Sequence, residues 1–250
     1  MNVVVNGLMT NYQKFGRGKK KIVMLHGWGD SSSTFEPLAR QFNGFTVYAL
    51  DLPGFGGTQK PETAWILKDY ADFVRDWLKK IDLGPNYSLL GHSFGGSVAI
   101  AGLAFGQLKP NSLFLLASAG IRNKRPLRKK ALLAAAKAGK LPLYLLPPSK
   151  AVKIKTKLYK KIGSDVLVSP ALRQTFVNIV NEDLRLVASN IKTPTLLIYG
   201  SRDQETPPSD GHIINRAIAK SRLEIIDAGH FLHQERPEQT AKLIINFLAD

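Results

Sequence analysis

Apolar runs at residues 3–5, 21–25, 45–50, 87–90, 113–117, 195–199 and 223–226 recur along the chain, set off by Gly, Pro, Asn and Asp. Two of them, Ile22-Val23-Met24-Leu25 and Thr195-Leu196-Leu197-Ile198-Tyr199, do not alternate apolar with polar side chains. A strand with one wet face alternates, whereas a strand covered on both faces does not. The covers are legible between the runs. Over residues 70–81, Tyr70, Phe73, Val74, Trp77, Leu78 and Ile81 return at intervals of three and four, and Asp72, Arg75, Asp76 and Lys79 take the remaining face, which predicts an amphipathic helix. Residues 94–105 and 237–248 read as two more helices, the second with Pro237 in its first turn, where a missing N–H leaves no bond unmade. Strand and helix in alternation predict an α/β chain on a mostly parallel, doubly wound sheet.

The alternation stops between about residues 121 and 191. In its place come a helix-like basic stretch at 126–139, a proline-interrupted run at 141–148, a lysine-rich stretch at 152–161 and a further helical stretch at 169–180. A compact parallel sheet rarely carries so long a structureless connection, so residues 121–190 are expected to form a helical lid over the strand ends, with 1–120 and 191–250 as the core domain. Charge marks the same boundary. The 250-residue chain carries a net +16, and residues 121–190 hold 16 Lys or Arg against 3 Asp or Glu, so most of the excess sits in the insertion. The absence of cysteine excludes disulfide and thiolate chemistry. Residues 1–10 lack a basic flank and a sustained apolar run, and no stretch reaches membrane-spanning length, which predicts a cytoplasmic chain without signal peptide or transmembrane segment.

The chemistry lies at the turns. Gly91-His92-Ser93-Phe94-Gly95 joins the 87–90 run to the helix at 94–105. A serine at so sharp a strand-to-helix turn presents its hydroxyl outward, and glycines two residues to either side let the chain pass without a clash. A serine hydroxyl becomes a useful nucleophile only when a base takes its proton and a carboxylate orients that base. The candidates follow in chain order: Asp203, just past the 195–199 strand, as the acid, and His230, directly after the 223–226 run, as the base. Glu205, in the same loop as Asp203, is the competing acid. His26 and His92, beside glycines at strand ends, are expected to hold loop geometry, His212 to open a helix in solvent, and His233 to stand off the turn that aims His230. Two main-chain N–H groups are expected to receive an oxyanion: that of Phe94, after the serine, and that of Trp28, in the loop after the 21–25 run.

In this order, His26-Gly27-Trp28-Gly29, Asp51-Leu52-Pro53-Gly54-Phe55-Gly56, Gly91-His92-Ser93-Phe94-Gly95-Gly96, Gly200-x-x-Asp203 with Pro207, and Gly229-His230 with Glu235-x-Pro237-Glu238 resemble the α/β-hydrolase superfamily. The resemblance implies the α/β-hydrolase fold: an eight-stranded, mostly parallel sheet flanked by helices, its second strand antiparallel near residues 10–15, with the lid inserted after the sixth strand. Asp51 is read as shaping a loop, not as a second acid. Haloalkane dehalogenases and epoxide hydrolases of the superfamily place Asp where this chain has Ser93, so serine points to acyl transfer. The expected enzyme is carboxylesterase-like, acts on a small-molecule ester or lactone through an acyl-enzyme, and uses no cofactor and no metal. Lactonases, C–C bond hydrolases and perhydrolase-like enzymes share these elements. The first two motifs are also similar to the pimeloyl-acyl-carrier-protein methyl ester esterases, whose acidic partner would suit a basic lid. The alternative from another class is an anion- or nucleic-acid-binding protein on an inactive hydrolase scaffold; basic residues without interleaved base-stacking aromatics count against nucleic acid.

Overall fold

The computed structural model describes residues 1–122 and 170–249. Its strands are β1 (Asn2–Val5), β2 (Leu8–Phe15), β3 (Lys20–Leu25), β4 (Phe45–Leu50), β5 (Ser88–His92), β6 (Ser112–Leu116), β7 (Thr195–Gly200) and β8 (Ser221–Ile226). They form one eight-stranded sheet in the order β1-β2-β4-β3-β5-β6-β7-β8. β2 runs antiparallel to both of its neighbours, and every other pairing is parallel. The antiparallel strand expected near 10–15 is thus β2, which begins two residues earlier. From β3 the chain steps outward to β4 and then returns to the opposite side of β3 with β5. The strand order therefore switches direction between β3 and β5, and a crevice opens there at the strands' carboxyl ends, the usual ligand position in open α/β sheets.

Helices α1 (Glu36–Ala39), α2 (Leu67–Lys80), α3 (Phe94–Ala104), α4 (Pro170–Asn181), α5 (Pro208–Ala217), α6 (Leu232–Glu235) and α7 (Pro237–Phe247) cover the sheet and its ends. The non-alternating runs bury both faces, as their pattern requires. On one face Val23, Leu25, Leu89, Leu115 and Leu197 pack with Tyr70, Phe73 and Trp77 of α2 and with Val98 of α3. On the other, Ile22, Met24, Leu90, Phe114 and Ile198 pack with Phe35, Leu38 and Ile244. α2 starts where the Asp69 carboxylate accepts the Ile66 N–H at 2.9 Å, which satisfies a donor that the first helical turn leaves free. It stops before Asp82 and Gly84, both at positive φ. Among the described residues no helix is long and apolar enough to cross a membrane.

Three local features differ from the sequence reading. A 3-10 turn at Ser32–Phe35 and the four-residue helices α1 and α6 gave no periodic signal, because one turn of helix contains no repeat to detect. α5 begins at Pro208, so His212 stands inside it instead of opening it, although its side chain is exposed as expected. Of the insertion at 121–190, α4 and a short 3-10 turn at Val187–Asn190 are described; the basic stretches at 126–139 and 152–161 lie outside the described residues.

Trp77 is fully buried and meets the Tyr12 ring edge-on at 5.5 Å. Trp77→Ala is expected to lower unfolding free energy by about 3–5 kcal/mol through lost burial and the cavity left behind; denaturant midpoints of the two proteins measure it.

Candidate active site

Ser93 is the whole connection between β5 and α3, and it takes φ 51° and ψ −114°. A non-glycine residue in such a region costs about 1–3 kcal/mol, so its surroundings must hold it. They do so through the main chain. The Ser93 N–H donates to the Leu116 carbonyl at 3.0 Å, and the Ser93 carbonyl accepts from Gly96 and Ala119, each at 3.0 Å. The flanking glycines serve close approach: a Cβ on Gly91 would stand 2.4 Å from the Gly95 carbonyl oxygen, and one on Gly95 would stand 2.1 Å from that of Leu25. Packing of this elbow against β3 therefore fixes the direction of the Ser93 hydroxyl.

His230 reaches the hydroxyl from the loop after β8. Its Nε2 lies 3.1 Å from Ser93 Oγ, and its Nδ1 lies 2.8 Å from Asp203 Oδ2. With Nδ1–H donating to the carboxylate, Nε2 is left with a lone pair facing the serine hydroxyl. Asp203 is buried, and its Oδ1 accepts the main-chain N–H groups of Glu205 (2.8 Å) and Thr206 (3.1 Å). Burial pushes the Asp203 carboxyl up, but the hydrogen bond and charge of His230 and the Thr206 bond outweigh it, and the group stays below its ordinary value. Glu205 is exposed, and its carboxylate lies 3.6 Å from His230 Nε2, on the ring edge that faces Ser93. The two acids of one loop thus meet opposite edges of the ring, and Asp203 alone meets Nδ1.

Thr206 was not singled out in the sequence. Its hydroxyl lies 2.7 Å from Asp203 Oδ2, 2.9 Å from the Ala117 carbonyl and 3.2 Å from His230 Nδ1. The available signal was its position three residues after Asp203, where an Asx turn brings a side chain back onto the carboxylate.

Trp28 and Phe94 line the same cavity as Ser93 and His230, about 500 Å³ in volume. Phe94 opens α3, so its N–H has no intrahelical acceptor and lies at the positive end of the helix dipole. Trp28 is aimed through His26. The His26 Nε2 accepts the Leu52 N–H at 2.9 Å, so the ring proton resides on Nδ1, which donates to the Gly27 carbonyl at 2.7 Å. The Gly27 carbonyl and the Trp28 N–H belong to one planar trans peptide and point in opposite directions, so holding the first orients the second. Asp51 performs the loop role read from the sequence: its two oxygens accept the N–H groups of Ser32 (2.6 Å) and Gly57 (2.8 Å). Apolar walls come from Trp28, Phe94, Ile121 and the α4 residues Phe176, Ile179 and Val180.

His92 sends Nε2–H to the main-chain carbonyl of His230 at 3.0 Å, which anchors the loop carrying that ring. Burial pushes the imidazoles of His26 and His92 below their ordinary value of 6.5, and burial with the neighbouring His230 takes His233 down to about 3. All three therefore remain neutral at pH 7.

A family model described as the alpha/beta hydrolase family matches residues 22–243. The chain is 29% identical over 258 residues to the monoacylglycerol lipase ABHD6 of Mus musculus, an alignment covering 92% of this chain and 76% of that protein. It is 26% identical over 239 residues to Lipase 1 of Psychrobacter immobilis, covering 88% and 74%. Among solved structures, the enol-lactonase of Burkholderia xenovorans matches with a TM-score of 0.76 at 23% identity, over 100% of both chains, a likeness of fold.

Because His26 resists protonation when folded but not when unfolded, unfolding takes up a proton once the pH falls below about 6.5. Stability is expected to hold above that pH and to decline as the pH falls below it, with His92 acting in the same sense and His233 extending the decline toward its folded value of about 3. Asp203 adds to the decline near and below the ordinary carboxylate value of about 3.9. Thermal melting across this range should show the decline, and His26→Asn should make it shallower.

Proposed function

Because the chain belongs to the alpha/beta hydrolase family, we propose that it is a serine hydrolase that cleaves carboxylic esters through an acyl-enzyme. One observation carries the reading: Ser93, Asp203 and His230, from three separate loops, meet in a continuous hydrogen-bonded line at the strand ends. In this account Ser93 Oγ attacks the ester carbonyl while His230 Nε2 takes its proton, and Asp203 stabilises the resulting imidazolium through Nδ1–H. The oxyanion is received by the main-chain N–H groups of Trp28 and Phe94, where loss of a single donor typically costs about 2.7–4 kcal/mol of transition-state stabilisation. His230 then hands its proton to the leaving alcohol. Water, deprotonated by the same ring, attacks the acyl-enzyme and releases the carboxylic acid.

The substrate class follows from the walls. Trp28, backed by Phe55 at 4.8 Å, packs on Phe94 at 5.4 Å and on Phe176 at 5.2 Å, and Trp28, Phe94 and Phe176 with Ile179 and Val180 offer an apolar surface to an acyl chain. The names of the relatives, a monoacylglycerol lipase and a lipase, support esters of apolar acids. α4 belongs to the 121–190 insertion and is pinned to the core, where Thr175 Oγ1 accepts the Trp65 N–H at 2.9 Å and Glu182 accepts the Leu67 N–H at 3.1 Å. The insertion is accordingly assigned as the lid that shapes the acyl pocket, with residues 1–120 and 191–250 as the core domain.

Hydrolysis of a series of p-nitrophenyl esters tests the proposal. Ser93→Ala is expected to lower kcat by about 10⁶ and Asp203→Asn by about 10⁴, and equal rates for wild type and Ser93→Ala would remove the enzymatic reading. Phe176→Ala should shift the preferred acyl length while leaving acetyl ester turnover within about tenfold, since one apolar wall contact is worth about 1–3 kcal/mol. An unchanged chain-length profile would take the insertion out of the acyl pocket.

A further inference from the structure

Three side chains outside the line of Ser93, His230 and Asp203 meet behind the elbow. One nitrogen of His92, one nitrogen of His233 and one carboxylate oxygen of Asp30 lie within 4.8 Å of one another. Asp30 comes from the loop after β3, His92 ends β5 and His233 belongs to α6. Both imidazoles are buried, at 1% and 0% exposure, and each has a buried Nδ1 with no hydrogen-bond partner among the described residues. Close packing does not explain the pair, because a buried polar atom left unpaired costs about as much as a lost hydrogen bond. Two of them beside a carboxylate call for a group that satisfies both nitrogens.

The donor chemistry narrows what that is. His92 gives its Nε2–H to the His230 carbonyl at 3.0 Å, so its lone pair is on Nδ1. A metal-bound imidazole shows the same arrangement, one nitrogen ligating and the other donating to a main-chain carbonyl that fixes the tautomer. His233 Nδ1 is the unpartnered atom; its Nε2 lies 3.5 Å from the Gln234 side-chain amide, and ligation through Nδ1 puts the ring proton on Nε2, where that amide accepts it through its oxygen once flipped. Asp30 is held in place by one bond to each oxygen, from the Ser31 N–H at 2.8 Å and the Thr34 hydroxyl at 3.0 Å, and both oxygens retain a free lone pair. Burial disfavours the charged form of both rings, and a ligating imidazole must be neutral.

We propose that Asp30, His92 and His233 form a binding site for a divalent transition-metal ion of the zinc class. Two imidazole nitrogens and one carboxylate oxygen suit such an ion, with a fourth position left for water. Bonds of about 2.0–2.1 Å place tetrahedral ligands about 3.3 Å apart, so a separation of 4.8 Å must close by about 1.5 Å when the ion binds. Asp30 and His92 line the active-site cavity, which provides the route in. The bound ion would tie together the loop carrying Trp28, the elbow carrying Ser93 and the segment that follows His230. The sequence reading expects no metal, because these ligands stand 62 and 141 positions apart and form no local motif.

The test uses the untagged, chelator-treated 250-residue chain, whose lack of cysteine and total of five histidines keep background binding low. Zinc is titrated by calorimetry and by thermal melting, cobalt(II) by its visible absorption, and magnesium serves as the hard-cation control. The expected result is one zinc per chain with saturation at micromolar metal, a rise in melting temperature that a chelator reverses, a four-coordinate cobalt spectrum and no effect of magnesium. Asp30→Asn and His233→Phe should each weaken zinc binding at least about tenfold. Should His233→Phe fail to fold, the nearly isosteric Asp30→Asn decides by itself. Absence of saturable binding, an equal response to magnesium, or unchanged zinc affinity in Asp30→Asn would overturn the site. Because binding is read without substrate, the outcome is independent of whether the chain hydrolyses esters.

Discussion

The turn at Ser93 depends on backbone approaching backbone. Gly95 passes so close to the Leu25 and His26 carbonyls that no side chain fits between them, and this contact presses the start of α3 onto the end of β3. The strained serine, the free N–H of Phe94 and the neighbouring loop with Trp28 are all held by that approach. The strain at Ser93 persists because the Leu116, Gly96 and Ala119 main-chain bonds leave it no alternative. The doubly wound sheet supplies the location: the strand order changes direction between β3 and β5, so the elbow and the Trp28 loop flank the same crevice.

Around the elbow, histidines divide the labour by which nitrogen is occupied. His26 uses both, bridging the Gly27 carbonyl to the Leu52 N–H and aiming a peptide plane. His92 uses one, anchoring the His230 loop. His230 bridges Asp203 and Ser93, and is the one ring of these whose two nitrogens face an acid and a nucleophile. Burial keeps His26, His92 and His233 uncharged, so in the proposed acyl transfer the positive charge falls on His230, beside Asp203. The same burial makes the unpartnered nitrogens of His92 and His233 conspicuous, since water does not reach them freely.

Charge and chemistry occupy different parts of the chain. Most of the net +16 belongs to residues 121–190, while the charged groups at the described cavity include the acids Asp30, Glu182 and Glu205. α4 presents apolar residues to the cavity and Thr175 to Trp65 before α2, and Glu182, just past α4, caps the first residue of α2. Through α4 this part of the chain contributes apolar packing at the cavity.

The order of strands and helices could be read directly from the chain, because runs covered on both faces do not alternate and amphipathic helices repeat at three and four. Serine with a glycine two residues to either side, followed by an aspartate and a histidine each just past a strand, marked the candidate site for the same reason: a turn at a strand end is a local event with local residue requirements. Contacts across long separations were settled by folding. Sequence placed Asp203 and Glu205 in one loop, but the direction of each carboxylate, one to Nδ1 and the other to the opposite ring edge, is a matter of backbone path. It could not show that the Thr206 hydroxyl returns to Asp203, that one-turn helices form under packing, or that Asp30, His92 and His233 converge. Residue types and spacing dictate what a segment can do alone; which segments face each other is decided by the sheet.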